Sequence, residues 1–273
     1  MRFGRRPQIE WVEDYIYRHL RHGPLHFTLL DPDKQSPKEA ADMAQAAAEA
    51  GSHAIMIGGS TPETAKVLDK MVKLVKRRSG LPVILFPGGA SQVSPHADAV
   101  WWMCLLNSRD RRFLIGEQVK GAPWINKLRI EPIPMGYLVV APGGMVGKVG
   151  QADLIQHDAI DEAVAYALTA KYFGMRFVYL EAGSGADTPV PPAMIRAVKQ
   201  ATQMPIIVGG GIRDADTAHE AIRAGADVIV TGTLVEGALD VKRTLTSLLF
   251  DLSERLKRQV RRTLDLGDRY VEE

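Results

Sequence analysis

The stretch PIIVGGGIRDADTAHEAIRAGADVIVTG, residues 205–232, holds one complete unit of the pattern that decides the fold. An apolar strand candidate (205–209) ends at a run of glycines, and a second one (227–232) closes the stretch. Between them lies a helical pattern that starts at an Asp and stops at a Gly, as helix caps do. Continuous apolar strands alternating with amphipathic helices are typical of a parallel sheet buried on both faces.

The same pattern recurs from one end of the chain to the other. Eight such units in about 250 residues predict a (β/α)8 barrel of the TIM type, with an open doubly wound sheet as the alternative. Nothing marks a domain boundary, so we expect one domain over residues 1–273. The strand candidates are 26–30, 53–57, 82–86, 98–106, 135–140, 176–180, 205–209 and 227–232.

Three segments depart from this scheme. Only eleven residues (PGGASQVSPHA) separate Phe86 from Asp98, and a helical crossover needs about a dozen or more, so we predict that the third helix is missing or replaced by an extended segment. The N-terminal extension 1–25 predicts an extra helix over 8–20 that covers the barrel bottom. The basic run 242–271, ending in a helical tail over 251–273, predicts a solvated or oligomer-contacting helix, with a membrane-surface patch as the alternative.

Composition excludes several classes of protein. A net charge of +2 is too balanced for a nucleic-acid-binding protein. The lone Cys104 excludes an internal disulfide and lies in an apolar run, which favours a buried thiol in a reducing compartment. We expect no signal peptide, because the first 20 residues have arginines but no apolar h-region, and no apolar run reaches the roughly 20 residues that span a bilayer. We therefore expect a soluble, cytoplasmic protein.

Small and polar residues collect directly after six of the predicted strands. In barrels of this type the loops after the strands build the active site, so six such loops on one rim predict a functional site there. The loops are LLDPDK (29–34), GGST (58–61), FPGGASQ (86–92), EAGSGAD (181–187), GGGIR (209–213) and TGT (231–233).

The last two of these loops predict a phosphate site. Gly209–Gly211 and Gly232-Thr233 each offer unblocked N–H groups before a helix, and three consecutive glycines exceed what a tight turn requires. Arg213 either adds positive charge or pairs with Asp214 or Asp216. Glu181 beside Gly183-Ser184-Gly185 places a carboxylate next to a second anion cradle, an arrangement that is costly unless the charge is used.

The first loop predicts a magnesium site. Asp31 stands at a strand exit, and Mg²⁺ typically takes one or two protein oxygens and completes its shell with water and substrate phosphates. Ser60, after the next strand, is the second candidate oxygen. The alternative is that Asp31 forms a turn and that Asp33 or Ser36 caps a helix. With no nucleophile–base pair and no zinc spacing, the residues suggest transfer from a diphosphate leaving group.

The motifs LLDPDK, IGGS, YLEAGSGA, VGGGIR and TGT, in this order, resemble those of the geranylgeranylglyceryl phosphate synthase family, which includes the bacterial heptaprenylglyceryl phosphate synthases. The similarity runs from about residue 26 to residue 250. The AG between Glu181 and Ser184 and the helical ends are similar to the family's second, often archaeal, group. The bacterial branch has a Lys two residues before its metal Asp, where this chain has Leu29, and Lys34 is the substitute we consider.

The resemblance implies a Mg²⁺-dependent prenyltransferase that joins the C3 hydroxyl of sn-glycerol 1-phosphate to a polyprenyl diphosphate, expected to be geranylgeranyl, and releases pyrophosphate. It implies that Asp31 and Ser60 hold Mg²⁺, and that Glu181 orients the glycerol and accepts the proton of the attacking hydroxyl. The glycerol 1-phosphate site would comprise Tyr179, Leu180, Glu181, Ala182, Gly183, Ser184, Gly185, Gly210, Gly211, Gly232 and Thr233.

A prenyl tail requires an apolar groove, and the missing third helix is where we expect it. The loop 87–95 and the run WWMCLL (101–106) are the candidate walls. Two other functions remain open: a phosphate-sugar isomerase or synthase on the same barrel, and a noncatalytic prenyl-lipid carrier. We also expect a homo-oligomer, from the terminal helix and the apolar residues of 136–140 and 146–150.

Overall fold

The computed structural model describes residues 11–58, 65–236, 238 and 240–249. Eight parallel strands follow one another in chain order around a closed barrel. β1 pairs with β8 from Leu25↔Val228 to Thr28↔Thr231, which closes the sheet and excludes the open doubly wound alternative. The strands are β1 (Leu25–Leu30), β2 (Ala54–Ile57), β3 (Val83–Leu85), β4 (Ala99–Leu105), β5 (Glu131–Val139), β6 (Phe177–Glu181), β7 (Ile206–Gly209) and β8 (Val228–Thr231).

The helices surround this barrel, and their ends carry the caps that the sequence indicates. Ser36 and Glu39 form a capping box at the start of α2, and Gly51 ends that helix in the left-handed conformation. The helices are α1 (Trp11–Leu20), α2 (Pro37–Ala50), α3 (Ala65–Ser79), α4 (Glu117–Leu128), α5 (Gly144–Val149), α6 (Ile160–Tyr172), α7 (Pro192–Thr202), α8 (Ala215–Ala224) and α9 (Thr233–Glu236), with 241–249 also helical. A π-helical turn, Arg112–Gly116, precedes α4.

Strand side chains divide into two apolar layers because successive residues face opposite sides of a sheet. On β6, Phe177 and Tyr179 belong to the cluster that fills the barrel, whereas Leu180 belongs to the cluster between barrel and helices. Both layers are fully buried on this strand. Glu181, the next inward position, therefore stands at the carboxyl end of the barrel interior.

Helix α1 covers the amino-terminal end of the barrel, as predicted. Val12 and Ile16 are completely buried against the interior cluster. The carboxylate of Glu131, at the start of β5, accepts hydrogen bonds from the backbone N–H groups of Val12 and Glu13, both at 2.8 Å. A carboxylate at a helix N-terminus satisfies two amides that have no partner within the helix and complements the helix dipole. The barrel bottom is thus sealed.

The third helix of the regular (β/α)8 pattern, which would join β3 to β4, is absent, and this confirms the prediction; α3 is the helix between β2 and β3. Residues 86–98, all of which the structure describes, contain turns and bends but no helix. Strand β4 is consequently uncovered on its outer face, and Trp102, the second tryptophan of the strand, is only partly buried. Cys104 is also partly buried; burial raises the pKa of its thiol to about 11, and the thiol donates to the Leu114 carbonyl at 2.9 Å. It is therefore a poor nucleophile, as expected.

The expectation of a homo-oligomer rested partly on a misread segment. Residues 136–140 are apolar because β5 is buried in the barrel wall, and only 146–150, in and after α5, retain exposed apolar side chains. The predicted tail 251–273 lies outside the described residues, as do residues 1–10. Within the described part of the chain, no helix is both long and apolar enough to cross a membrane.

Candidate active site

A cavity of about 180 Å³ opens at the carboxyl end of the barrel. Polar residues lie at one end of it, where β1 and β6 finish: Asp31, Glu181 and Ser184. From there it runs along the outer face of β4, between the segment that replaces the third helix and α4. The predicted groove is therefore present, and its walls include Phe86, Pro87, Ala90, Val93, Val100, Trp102, Met103, Gly121, Ile125 and Val146.

Glu181 is the last residue of β6 and is 6% exposed. Its Oε1 accepts a hydrogen bond from the Gly183 N–H at 2.6 Å. A Cβ on Gly210 would lie 2.5 Å from the same oxygen, so only glycine at that position lets the β7 loop enclose the carboxylate. Gly210 also has φ +80°, a conformation that side-chain-bearing residues rarely adopt. The neighbouring glycines thus create room for a buried, hydrogen-bonded carboxylate.

Burial raises the pKa of Glu181, and two contacts oppose that shift: the Gly183 amide and the hydroxyl of Tyr179. Among the described residues the Tyr179 hydroxyl has no hydrogen-bond partner of ordinary geometry, yet it lies close enough to lower the pKa of the Glu181 carboxyl. A carboxylate whose pKa is raised binds a proton more readily. Glu181 is therefore equipped to accept a proton from a bound hydroxyl group.

Three aromatic rings support Glu181 from inside the barrel. Phe86 stacks on Tyr179 with ring centroids 5.6 Å apart, and Tyr137 meets Tyr179 edge-on at 5.1 Å. Burial raises the pKa values of both tyrosines well above the usual 10, so both stay protonated. Of the sequence-predicted residues, Tyr179 and Leu180 are fully buried and support the rim from within and from behind rather than lining the cavity.

The two predicted anion cradles meet. The Ser184 hydroxyl lies 2.9 Å from the Thr233 hydroxyl, so the loop after β6 touches the turn after β8. Both side chains are exposed at the rim. The structure thus brings together Gly183, Ser184, Gly185 and Thr233, with Gly210, Gly211 and Gly232 in the adjoining turns.

Arg213 secures this arrangement from outside. Its guanidinium donates to the Gly185 carbonyl at 2.8 Å and to the Asp187 carboxylate at 2.9 Å. The sequence offered two roles for Arg213, added positive charge or a pair with Asp214 or Asp216. Asp214 caps α8 by accepting from the Thr217 N–H at 2.8 Å. Arg213 therefore holds the glycine-rich loop after β6 in place.

Asp31 lies at the polar end of the cavity, and its side chain is 20% exposed. Oδ1 accepts from the Asp33 N–H at 3.1 Å, and Oδ2 is 3.9 Å from the Lys34 ammonium. Among the described residues no three His, Cys, Asp or Glu side chains cluster as a metal cage would require. A single carboxylate facing a cavity nevertheless suits Mg²⁺, which keeps several waters and substrate oxygens in its shell. Ser60, the second predicted ligand, lies outside the described residues.

Leu29 and Lys34 occupy different parts of the site. Leu29, at the position of the bacterial lysine, lines the cavity, and its Cβ would be 3.6 Å from a Cβ added at Gly232. Lys34 is exposed and near Asp31, on the side of the cavity where the metal is expected. Beside Gly232, directly after β8, this chain thus has an apolar side chain at the position where the bacterial branch has a lysine.

Two parts of the site were missed from the sequence. The loop after β5 packs on the loop after β6 so tightly that a Cβ on Gly183 would lie 2.7 Å from Gly144 N. The Pro142-Gly143-Gly144 run was the signal for it. No sequence signal pointed to Glu117, which lines the groove and accepts hydrogen bonds from Ala90 N–H at 2.7 Å and Arg112 Nε at 2.8 Å.

Glu117 anchors the segment that replaces the third helix. Burial raises its pKa, but the bonds from Ala90, Lys120 and Arg112 outweigh that effect and lower the pKa to about 2. The carboxylate thus stays charged and tethers Ala90 to the first turn of α4.

Comparison with known proteins agrees with this geometry. The profile of the PcrB family matches residues 17–248. A geranylgeranylglyceryl phosphate synthase from Methanosarcina acetivorans is 53% identical over 240 residues, covering 87% of this chain and 97% of the relative. One from Thermococcus kodakarensis is 51% identical over 237 residues, covering 87% and 94%.

A solved structure is also similar. The crystal structure of (S)-3-O-geranylgeranylglyceryl phosphate synthase from Thermoplasma acidophilum, in complex with its substrate sn-glycerol-1-phosphate, superimposes with a TM-score of 0.86 at 44% identity. The match covers 89% of this chain and 98% of that one. The resemblance drawn from the motifs is therefore confirmed, and the chain belongs to the PcrB family.

Proposed function

We propose that this protein joins the C3 hydroxyl of sn-glycerol 1-phosphate to geranylgeranyl diphosphate, forming an ether and releasing pyrophosphate in a Mg²⁺-dependent reaction. One observation carries the proposal: the buried carboxylate of Glu181 stands where an apolar groove meets the glycine-rich loops after β6, β7 and β8. A substrate pair with a phosphate, a hydroxyl and a long apolar tail matches those three environments.

The chain is a prenyltransferase, since its relatives at about half identity over most of both chains carry that activity in their names. The glycerol phosphate half of the proposal is supported by the Thermoplasma acidophilum complex, whose bound ligand is described as the substrate. The metal, the pyrophosphate and the length of the prenyl chain are the parts that this proposal adds.

We assign the phosphate group to the cradle formed by the loops after β6, β7 and β8. Gly183, Gly185, Gly210 and Gly211 all have positive φ, so these loops adopt tight turns that residues with side chains rarely take, and turns of this kind can present backbone N–H groups to an anion. The Gly183 N–H itself donates to Glu181 Oε1. The hydroxyls of Ser184 and Thr233, 2.9 Å apart, can both donate to phosphate oxygens. The other end of glycerol phosphate then reaches Glu181.

The reaction is a substitution at the allylic carbon. As the bond from prenyl C1 to the diphosphate oxygen breaks, its electron pair leaves with pyrophosphate and C1 develops carbocation character. The glycerol C3 oxygen forms the new bond to C1, and its proton passes to the Glu181 carboxylate. Transfer to a positioned general base of this kind contributes about 10²–10⁴-fold in rate.

The diphosphate belongs beside Asp31, across the cavity from the glycerol phosphate cradle. When bound there, Mg²⁺ would neutralise charge that builds up on the departing pyrophosphate. Asp31 would hold the metal with one carboxylate oxygen while the other stays near Lys34. Ser60 remains the proposed second ligand.

The prenyl tail fits the groove along β4. Its walls are apolar apart from Glu117 and Gln118, and both of those hydrogen-bond to backbone groups. Burying a CH₂ group stabilises a complex by about 0.8 kcal/mol, so a twenty-carbon tail supplies on the order of 10 kcal/mol. That energy can offset the cost of ordering the tail and both polar headgroups.

The discriminating experiment incubates the protein with sn-glycerol 1-phosphate, geranylgeranyl diphosphate and Mg²⁺ and measures pyrophosphate and ether product together. The proposal expects both in equal amounts. A phosphate-sugar isomerase would release no pyrophosphate, and β2, β4 and β6 carry no lysine for such chemistry. A noncatalytic carrier would bind the diphosphate and leave it unchanged.

We place the protein in the cytoplasm, and we expect it to self-associate through the amino-terminal end of the barrel. There Tyr172 and Phe173, at the end of α6, are 78% and 70% exposed, far from the site. Light scattering of the wild type and of Tyr172→Ser/Phe173→Ser tests this, because only the wild type should exceed the mass of one chain.

A further inference from the structure

Both edges of the groove mouth carry exposed apolar side chains. Met145 and Val149 of α5 line the cavity and are nonetheless 58% and 41% exposed. Across the mouth, beside the cavity-lining Phe113 and Glu117, Ile115 and Val119 are 47% and 65% exposed. We call these four residues, together with Arg111 and Lys148, the rim surface. Contiguous exposed apolar side chains next to a ligand groove mark an interaction site.

The charge around the rim surface is positive. Residues 109–120, from the loop after β4 through the first turn of α4, carry four Lys or Arg and two Asp or Glu, and Lys148 of α5 adds one more positive charge, which gives a net charge of +3 beside the groove mouth. Within the described residues, Arg111 and Lys148 are exposed and make no ion pair. Apolar residues surrounded by basic ones are typical of a surface that rests on anionic lipid.

Self-association is less compatible with this surface. A symmetric contact between two copies would bring Arg111 and Lys148 of one chain toward the same residues of the other. Like charges at an interface oppose binding, whereas the phosphates of a bilayer would complement them.

We propose that the rim surface docks on an anionic lipid bilayer, so that the groove mouth opens onto the membrane in which a long prenyl diphosphate is dissolved. Met145 and Val149 would enter the interface and join the bilayer to the groove. The docking is supported by the exposed apolar side chains and the positive charge of the rim surface. Only the identity of the lipid that enters the groove rests on the proposed function.

The test is co-sedimentation of the full chain with vesicles of phosphatidylcholine alone or of equal parts phosphatidylcholine and phosphatidylglycerol. We expect binding to the anionic vesicles that weakens as salt rises. Arg111→Glu/Lys148→Glu should lower the partition coefficient at least about 20-fold, since one basic residue near a membrane is worth about fivefold. Ile115→Ser/Val119→Ser should lower it by about tenfold or more. None of these four residues lines the groove.

The matched control is Tyr172→Ser/Phe173→Ser, which removes even more exposed apolar side chains at the opposite end of the barrel. Even as a single chain it should keep the wild type's preference for anionic vesicles and its salt dependence. Docking is overturned if the wild type ignores anionic vesicles, if both lipid mixtures bind equally at all salt concentrations, or if the control loses as much as the rim variants. It is also overturned if the rim variants keep vesicle binding and instead lose self-association by light scattering.

A second readout separates docking from catalysis. With geranyl diphosphate in solution, the rim variants should turn over like the wild type, and with geranylgeranyl diphosphate carried in anionic vesicles they should be at least fivefold slower. Equal rates on the vesicle-bound substrate would contradict docking. Vesicle binding without any turnover would instead refute the proposed reaction and leave the docking intact.

Discussion

Replacing Glu181 by Gln separates the catalytic and structural roles of the buried carboxylate. Gln keeps the shape of the side chain and an Oε1 that can accept the Gly183 N–H, which is now 2.6 Å from the carboxylate. It removes the negative charge and the capacity to accept a proton. We expect turnover to fall by about 10²–10⁴-fold, the contribution of a general base.

The same substitution should not cost stability at neutral pH. Because burial raises the pKa of Glu181 in the folded state, the folded protein binds that proton more tightly than the unfolded chain does. This contribution is fully present below the unfolded pKa of about 4.3 and is lost as the pH rises through the raised folded value. At pH 8 the wild type therefore bears the cost of a buried charge, about 1.4 kcal/mol for each unit by which the pKa is raised.

The Gln variant lacks that cost, so its melting temperature relative to the wild type should increase between pH 4.5 and pH 8. Each kcal/mol corresponds to about 2–4 °C for a chain of this size. Single-turnover kinetics and thermal melts of both proteins across this range give the two readouts. The wild-type rate should also decrease as the pH is lowered, because Glu181 must be deprotonated to act as a base. The midpoint of that decrease should lie above the ordinary carboxyl pKa, since burial raises the pKa of Glu181. A rate within tenfold of wild type, or a variant that melts lower only at pH 8, would refute the reasoning.

Three further substitutions test other parts of the site. Gly210→Ala should lower turnover by about 10²-fold in steady-state assays at unchanged helix content by circular dichroism, because its Cβ would lie 2.5 Å from Glu181 Oε1; wild-type rates would contradict that packing. Gly121→Leu should shift preference toward shorter prenyl diphosphates, because a Cβ at this position would already contact Trp102 and Ala90 at 3.7 Å and a larger side chain would extend into the groove. Gly121→Ala is the control: it should keep the chain-length preference and raise the free energy of unfolding by about 0.5–1 kcal/mol. Asp31→Ala should abolish the dependence of the rate on Mg²⁺ concentration and leave glycerol phosphate binding by calorimetry unchanged; a normal Mg²⁺ titration would remove its assigned role.

Most of the barrel could be predicted from local patterns. The apolar strands and the Gly and Asp residues that end or begin the helices are recognisable from residues close together in sequence. The missing third helix follows from the eleven residues between Phe86 and Asp98. The rim position of Glu181 and Ser184 follows from the topology, because all strands end on one side. Residues 136–140 were correctly assigned to a strand, but they were also taken as support for an oligomer contact, because a buried strand and an apolar contact patch have the same composition.

Contacts between distant loops could not be predicted. The sequence offered added positive charge or a pair with Asp214 or Asp216 as the role of Arg213; it gave no sign that the fold brings Asp187, 26 residues away, to the guanidinium. The Ser184–Thr233 contact spans 49 residues, and the Glu117–Ala90 contact spans 27. Such pairs depend on where the barrel places each loop, and the pattern of apolar and polar residues along one sequence does not show which side chains of two loops meet.

The central claim is that the loop after β6 separates the two ends of sn-glycerol 1-phosphate, with its phosphate on the glycine side and its reacting hydroxyl at the Glu181 carboxylate. A crystal structure with sn-glycerol 1-phosphate and a nonreactive prenyl diphosphate analogue tests it most directly. The claim predicts the C3 hydroxyl about 2.6–3.2 Å from a Glu181 oxygen, the phosphate at Gly183, Ser184 and Thr233, and the tail along Trp102. A phosphate bound beside Asp31, or a C3 hydroxyl directed away from Glu181, would contradict it.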